Sequence, residues 1–149
     1  METIKMKTVR YFVIHCTGTE TNKRAKDFFN ADGTPMFHYV IERDGDVVKL
    51  CCDKQTVNRI PQYDWESIHI AYIGGIDHHG KPVNNISRLQ QEALLYKLIE
   101  LSLIYHGVKK VGAGELSGRS SSPCFDVNDW VKNYEPNLCL DRENFAIAA

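Results

Sequence analysis

The sequence predicts one α/β domain, a mixed central β-sheet flanked by helices on both faces, and three observations carry that expectation. A chain of 149 residues that is 43% hydrophobic can bury one good core and is too short for two ordinary domains. Strand-like runs rich in β-branched and aromatic residues alternate with helical patterns, the order that builds parallel strands joined by helical crossovers. One Asp-Gly hairpin adds an antiparallel pair and makes the sheet mixed. A single domain is expected over 1–149, with its core at about 8–132 and a C-terminal tail at 136–149.

Residues 8–16 form a β-branched and aromatic run closed by Cys16-Thr17-Gly18-Thr19, which reads as a buried strand with His15 at its end. Residues 21–30 read as a short, polar-faced helix, stopped by Ala31-Asp32-Gly33-Thr34-Pro35, where Gly and Pro make continuation costly. Two apolar-rich strands, 37–42 and 46–50, are joined through Arg43-Asp44-Gly45, in which Asp-Gly supplies the positive φ of a tight turn. Residues 55–66 lack a sustained period and carry Pro61, so a loop is expected. The next strand is 67–73, closed by Gly74-Gly75, and 76–85 is a polar loop.

The clearest helix signal follows. Ser87-Arg88-Leu89-Gln90 matches a capping box, and Leu94, Leu98, Leu101 and Tyr105 share one face up to Gly107. Residues 108–111 read as a short strand, and 126–133 as a last helix with Asp126 as its N-cap.

Composition narrows the function. The 18 basic and 19 acidic residues leave a formal charge of -1, so nothing draws the chain as a whole to a nucleic-acid polymer or an anionic membrane. The N-terminal residues lack the continuous apolar stretch of a secretion signal, and no run approaches membrane-spanning length. A cytoplasmic location is the expectation. The cysteines Cys16, Cys51, Cys52, Cys124 and Cys139 form neither an even set nor a C-x-x-C pair, so free, mostly buried thiols are expected. Cys51 and Cys52 are adjacent in a strand pattern, where side chains point to opposite faces, which argues against a bond between them.

Four segments carry more specific information: Tyr11-Phe12-Val13-Ile14-His15-Cys16-Thr17, Phe37-His38-Tyr39-Val40-Ile41-Glu42-Arg43-Asp44-Gly45, Ser67-Ile68-His69-Ile70-Ala71-Tyr72-Ile73-Gly74-Gly75, and Ser122-Pro123-Cys124-Phe125-Asp126. In order and spacing the chain resembles the N-acetylmuramoyl-L-alanine amidases of the T7-lysozyme and peptidoglycan-recognition-protein type. That resemblance implies a zinc site that hydrolyses the amide between the lactyl group of N-acetylmuramic acid and L-alanine. It places the first zinc ligand at His15, the second at Ala113, the third at Ser122 and an assisting Tyr hydroxyl at Phe37. Only His15 carries the residue type the chemistry needs. Alanine has no donor atom, a serine hydroxyl is a poor zinc ligand beside a thiolate, and phenylalanine donates no hydrogen bond to an oxyanion.

These four are read as vestigial positions, with no catalytic residue and no cofactor expected. Zinc, through His15 alone among them, belongs to the alternative reading. His106 sits seven residues before Ala113 at a helix end, Cys124 two residues beyond Ser122, and Ser120 where a polar helper is expected; none is read as a replacement ligand. The family's substrate-facing loop histidine is missing from 58–65, and His69 stands where a small glycine is usual. His78 and His79 are read as solvent-exposed.

The expected function is therefore a non-catalytic relative whose cleft binds a muropeptide, a small metabolite or nucleotide, or a protein partner. The residues expected to line that cleft are His15, Phe37, His38, Arg59, Tyr63, Trp65 and His69, with Tyr72 among the nearby aromatics. Two alternatives remain: an active amidase with an unorthodox site drawing on His15, His38 or His69 together with Cys124 or Glu115, and an engineered inactive form. The latter explains Ala113 and Ser122 but neither Phe37 nor the missing loop histidine.

Overall fold

A computed structural model describes residues 7–133. Five strands form one mixed sheet: β1 (Tyr11–Cys16), β2 (Tyr39–Ile41), β3 (Val47–Lys49), β4 (Ser67–Tyr72) and β5 (Lys109–Gly112), in the order β3-β2-β4-β1-β5. β1 runs parallel to both β4 and β5, β2 runs parallel to β4, and only the β2–β3 hairpin is antiparallel. The parallel strands consequently end at the same edge. In open α/β sheets that carboxyl edge is where ligand sites are built, and His15 lies there, paired in register with Ala71.

Alternation along β1 and β4 sorts the side chains between two layers. Phe12, Ile14, Ile68, Ile70 and Tyr72 pack on one face with Leu94, Leu98 and Leu101 of α1 (Arg88–Ile104) and with Val127. Val127 opens a further helix, α3, over 127–133, and Asp126 caps it as expected by accepting the Asp129 N–H at 3.1 Å. The opposite face is covered differently. There, Val13, Val40, Ala71, Ile73 and Val111 pack in two clusters with Ala25, Phe28, Phe37, Ile60 and Ala113, which come from a single-turn 3-10 helix (Ala25–Asp27), loops and the short α2 (Ala113–Ser117). The helices on both faces were expected; the thin cover of this face leaves room for a cleft.

Several boundaries differ from the sequence reading for identifiable reasons. The helix expected at 21–30 shortens to one 3-10 turn, because the buried Glu42 carboxylate captures the Ala25 N–H at 2.8 Å and pairs with Arg24 at 3.1 Å. The loop at 55–66 gains a turn at Asp64–Glu66, and α1 ends at Ile104, with Tyr105 as its C-cap. Strand β5 is displaced by one residue to Lys109–Gly112. The four described cysteines are free, yet none is fully buried, and Cys52 is exposed. Cys139 and the expected tail at 136–149 lie outside the described residues. Among the described residues no helix is long and apolar enough to cross a membrane.

Candidate functional site

The carboxyl ends of the parallel strands and the loops that follow them enclose a cavity of about 420 Å³, lined by His15 and Cys16 at the end of β1, Thr17 and Gly18 after it, Gly75 and Ile76 after β4, and Ala113 after β5. Arg59 and the stretch from Ser117 through Arg119 to Ser122, together with Cys124, close it. Gly75 is required at this edge: its φ is +99°, and a Cβ there would meet Cys16 Sγ at 2.4 Å.

Beneath the cavity lies a buried polar chain. Nε2 of His15 is 2.8 Å from Nδ1 of His69, and Nε2 of His69 is 2.8 Å from Oδ1 of Asp64. The Asp64 carboxylate also accepts the backbone N–H groups of Arg59 at 2.8 Å and Ile60 at 2.7 Å. Burial pushes this carboxyl upward, but hydrogen bonds from His69, Ile60 and Arg59 outweigh that effect and hold it below its ordinary value. Burial lowers His69 despite its carboxylate neighbour. It lowers His15 further still, with His69, Arg59 and His38 adding to the effect. The arrangement is a neutral His–His pair hydrogen-bonded to an anionic carboxylate.

His38 belongs to this layer but not to the cavity. Its Nδ1 accepts the His69 backbone N–H at 2.9 Å, and its Nε2 is 2.6 Å from the Gln55 carbonyl oxygen. Both nitrogens are satisfied and the side chain is fully buried, which removes it from the ligand-lining set. Burial, the largest influence, holds its pKa at about 4.

Phe37 lies against His15 with ring centroids 5.2 Å apart, and the Arg59 guanidinium sits 4.7 Å over the Phe37 ring. Tyr63 stands edge-on to Tyr11 and lines a neighbouring cavity with Arg59 and Arg119. Two expected aromatics lie elsewhere. Trp65 is 51% exposed and lines none of the cavities around Arg59. Tyr72 faces the α1 layer, where its hydroxyl donates to the Pro123 carbonyl at 2.6 Å.

Of the remaining positions, Ala113 is buried at the start of α2, and Ser122 Oγ accepts the Cys16 backbone N–H at 2.9 Å. Cys124 Sγ is 4.0 Å from Cys16 Sγ. His106, His78 and His79 are exposed. Glu115 is also exposed and caps α2 through the Gly112 N–H. Among the described residues no group of three or more His, Cys, Asp and Glu side chains is placed to hold a metal ion. Sequence reasoning assigned no role to Asp64 or Arg119. An acid five residues before His69 was the available signal for the first; an arginine in a loop of altered length gave none for the second.

The sequence pattern of N-acetylmuramoyl-L-alanine amidases matches residues 5–111, and the chain belongs to that family. It is 27% identical over 141 residues to the endolysin of Klebsiella phage KP32, covering 89% of this chain and 91% of that protein. Its fold is shared with the N-acetylmuramoyl-L-alanine amidase LysC from Clostridium intestinale URNW, at a TM-score of 0.72 and 13% identity, covering 91% and 95% of the two chains. It is shared also with peptidoglycan recognition protein-LE, solved in complex with tracheal cytotoxin, a monomeric diaminopimelic acid-type peptidoglycan, at a TM-score of 0.62 and 18% identity, covering 80% and 75%.

Proposed function

We propose that the protein binds a peptidoglycan fragment in the cleft above His15 without hydrolysing it. The observation that carries this reading is the donor set at His15, Phe37, Ala113 and Ser122. A catalytic zinc takes about three protein donors and keeps a fourth position for the water it activates. Ala113 supplies no donor, and the neutral Ser122 hydroxyl is engaged by the Cys16 N–H. Cys124 and Cys16 turn their sulfurs toward one another. His15 alone is left, and the set does not fit zinc. Phe37 offers no hydroxyl to a developing oxyanion, and the loss of one such donor costs about 10²–10³ in rate.

Binding groups are retained where reacting groups are not. The cavity keeps the His15 ring, the Arg59 guanidinium and the hydroxyls of Thr17, Ser120 and Ser121. A muropeptide is favoured over a nucleotide, a metabolite or a protein partner by family membership and by the fold shared with a recognition protein solved with a peptidoglycan monomer. The test combines zinc analysis of the purified protein with thermal shift on muropeptides. The expected results are no stoichiometric zinc and a stabilisation of about 2.7 kcal/mol at a hundredfold excess over Kd. About one tightly held zinc per chain, or no shift with any muropeptide, contradicts the reading.

A further inference from the structure

The buried chain below the cavity fixes which nitrogen of His15 carries its proton. Asp64, ionised and acceptor-only, is held by the Arg59 and Ile60 N–H groups, so the His69 nitrogen facing it, Nε2, must be the protonated one. A neutral imidazole protonated at Nε2 has a bare Nδ1. That bare nitrogen faces Nε2 of His15, which therefore carries the His15 proton. Nδ1 of His15 is left as a bare acceptor.

It opens on the cavity. No hydrogen bond to Nδ1 of His15 occurs among the described residues. Yet the one buried side-chain polar atom without a partner among them is Ser102 Oγ, so Nδ1 is accessible from the cavity that His15 lines.

The same cavity is lined by two arginines, Arg59 and Arg119, and by no aspartate or glutamate. Neither guanidinium has a carboxylate partner among the described residues. The Arg59 guanidinium lies over the Phe37 ring and His15 meets that ring edge-on, so cation and acceptor lie around one ring. In a chain of net charge -1, this is a local site for an anion with a hydrogen-bond donor beside it. A bare inorganic anion satisfies only the first requirement, whereas an N-acylated peptide with a free carboxylate satisfies both.

We propose that the cavity binds N-acylated peptides through two contacts, a carboxylate against Arg59 and Arg119 and an amide N–H donated to Nδ1 of His15, with His69 as the positioning residue that fixes the acceptor. The proposal rests on the cleft being a peptidoglycan-fragment site and specifies how the fragment is read.

The test uses the full chain with ¹⁵N-labelled histidine and three probes: N-acetylmuramoyl-L-alanyl-D-isoglutamine, its carboxamide, and its form N-methylated at L-alanine. In the free protein, the ring-nitrogen shifts of His15 and His69 should report Nε2–H and bare Nδ1, and binding of the parent peptide should move Nδ1 of His15. Affinity should fall at least tenfold for the carboxamide and at least tenfold for the N-methyl form. The R59Q/R119Q variant should abolish the carboxylate preference. H69F should abolish the N–H preference while keeping the carboxylate preference, an outcome that a purely structural role for His69 does not produce. A proton on Nδ1 of His15 overturns the proposal without any variant needing to fold. Equal affinity for the three peptides, or inorganic sulfate binding as tightly as the parent peptide, overturns the contact scheme and leaves the cleft assignment standing. If no muramyl peptide binds, both fail.

Discussion

Three buried imidazoles and a carboxylate form the floor of the cavity, with His15 alone of them lining it, and their protonation couples to folding in one direction. Burial holds His38 at about 4 against an ordinary 6.5, so below pH 6.5 the unfolded chain takes up a proton that the native chain refuses. The stability this contributes is complete above pH 6.5 and is lost as the pH falls towards 4, on the order of 3 kcal/mol. His15 and His69 are displaced in the same direction. Asp64 is held low, so its contribution is lost only at more acidic pH. Urea unfolding at pH 7 and pH 4.5 should therefore show a marked loss, and His38→Gln should lose less by nearly one proton's worth. An identical pH slope in the variant would refute the coupling. At this scale His15 and Arg59, expected at the cleft from motif position and charge, line the cavity, whereas Phe37 borders a neighbouring one with Arg59. Tyr72 was legible but misplaced: it has the parity of Ile68 and Ile70, which put it on the α1 face. The hydrogen bonds of His38 and Asp64 depend on a loop path that no local pattern encodes.

Among the elements, α1 is tied to the sheet by one polar side chain. Gln90, fully buried, completes the capping box with Ser87 and donates to the carbonyls of Ile41 at 3.1 Å and Ile73 at 3.0 Å, at the ends of β2 and β4. Gln90→Leu keeps the volume but orphans both carbonyls, and should cost roughly 2–4 kcal/mol in chemical denaturation with unchanged helical circular dichroism. A loss below about 0.5 kcal/mol would show that water replaces the amide. Gly75→Ala should also destabilise, because both its φ and the approach of Cys16 Sγ exclude a Cβ. Adding Cys16→Ala should recover only the part due to Sγ, because Cys16 Cβ still crowds the new methyl; full recovery would mean that neither that contact nor the backbone φ costs stability. The capping box, the hairpin and the strands β1 and β4 were readable because each has a local period or turn residue. The segment at 21–30 was not, since the Glu42 carboxylate that reshapes it comes from a later strand.

Across the whole molecule, strand direction explains why the cleft lies where it does. β1, β4 and β5 all end at one edge; one face carries the helical layer of α1 and α3, and the other is covered by single turns and loops that leave the cavity open. The fold and its family could be read from the four segments; the buried Asp64–His69–His15 chain could not, because it joins a loop to two strands with no local pattern. Under the proposed function this cleft holds a peptidoglycan fragment and leaves its amide intact. The most direct measurement is mass spectrometry of a purified muropeptide incubated with the protein and equimolar zinc, with the protein-bound and free fractions separated before analysis. Intact muropeptide is expected in both fractions, enriched on the protein. Release of the stem peptide from the lactyl sugar, suppressed by a chelator, would contradict it.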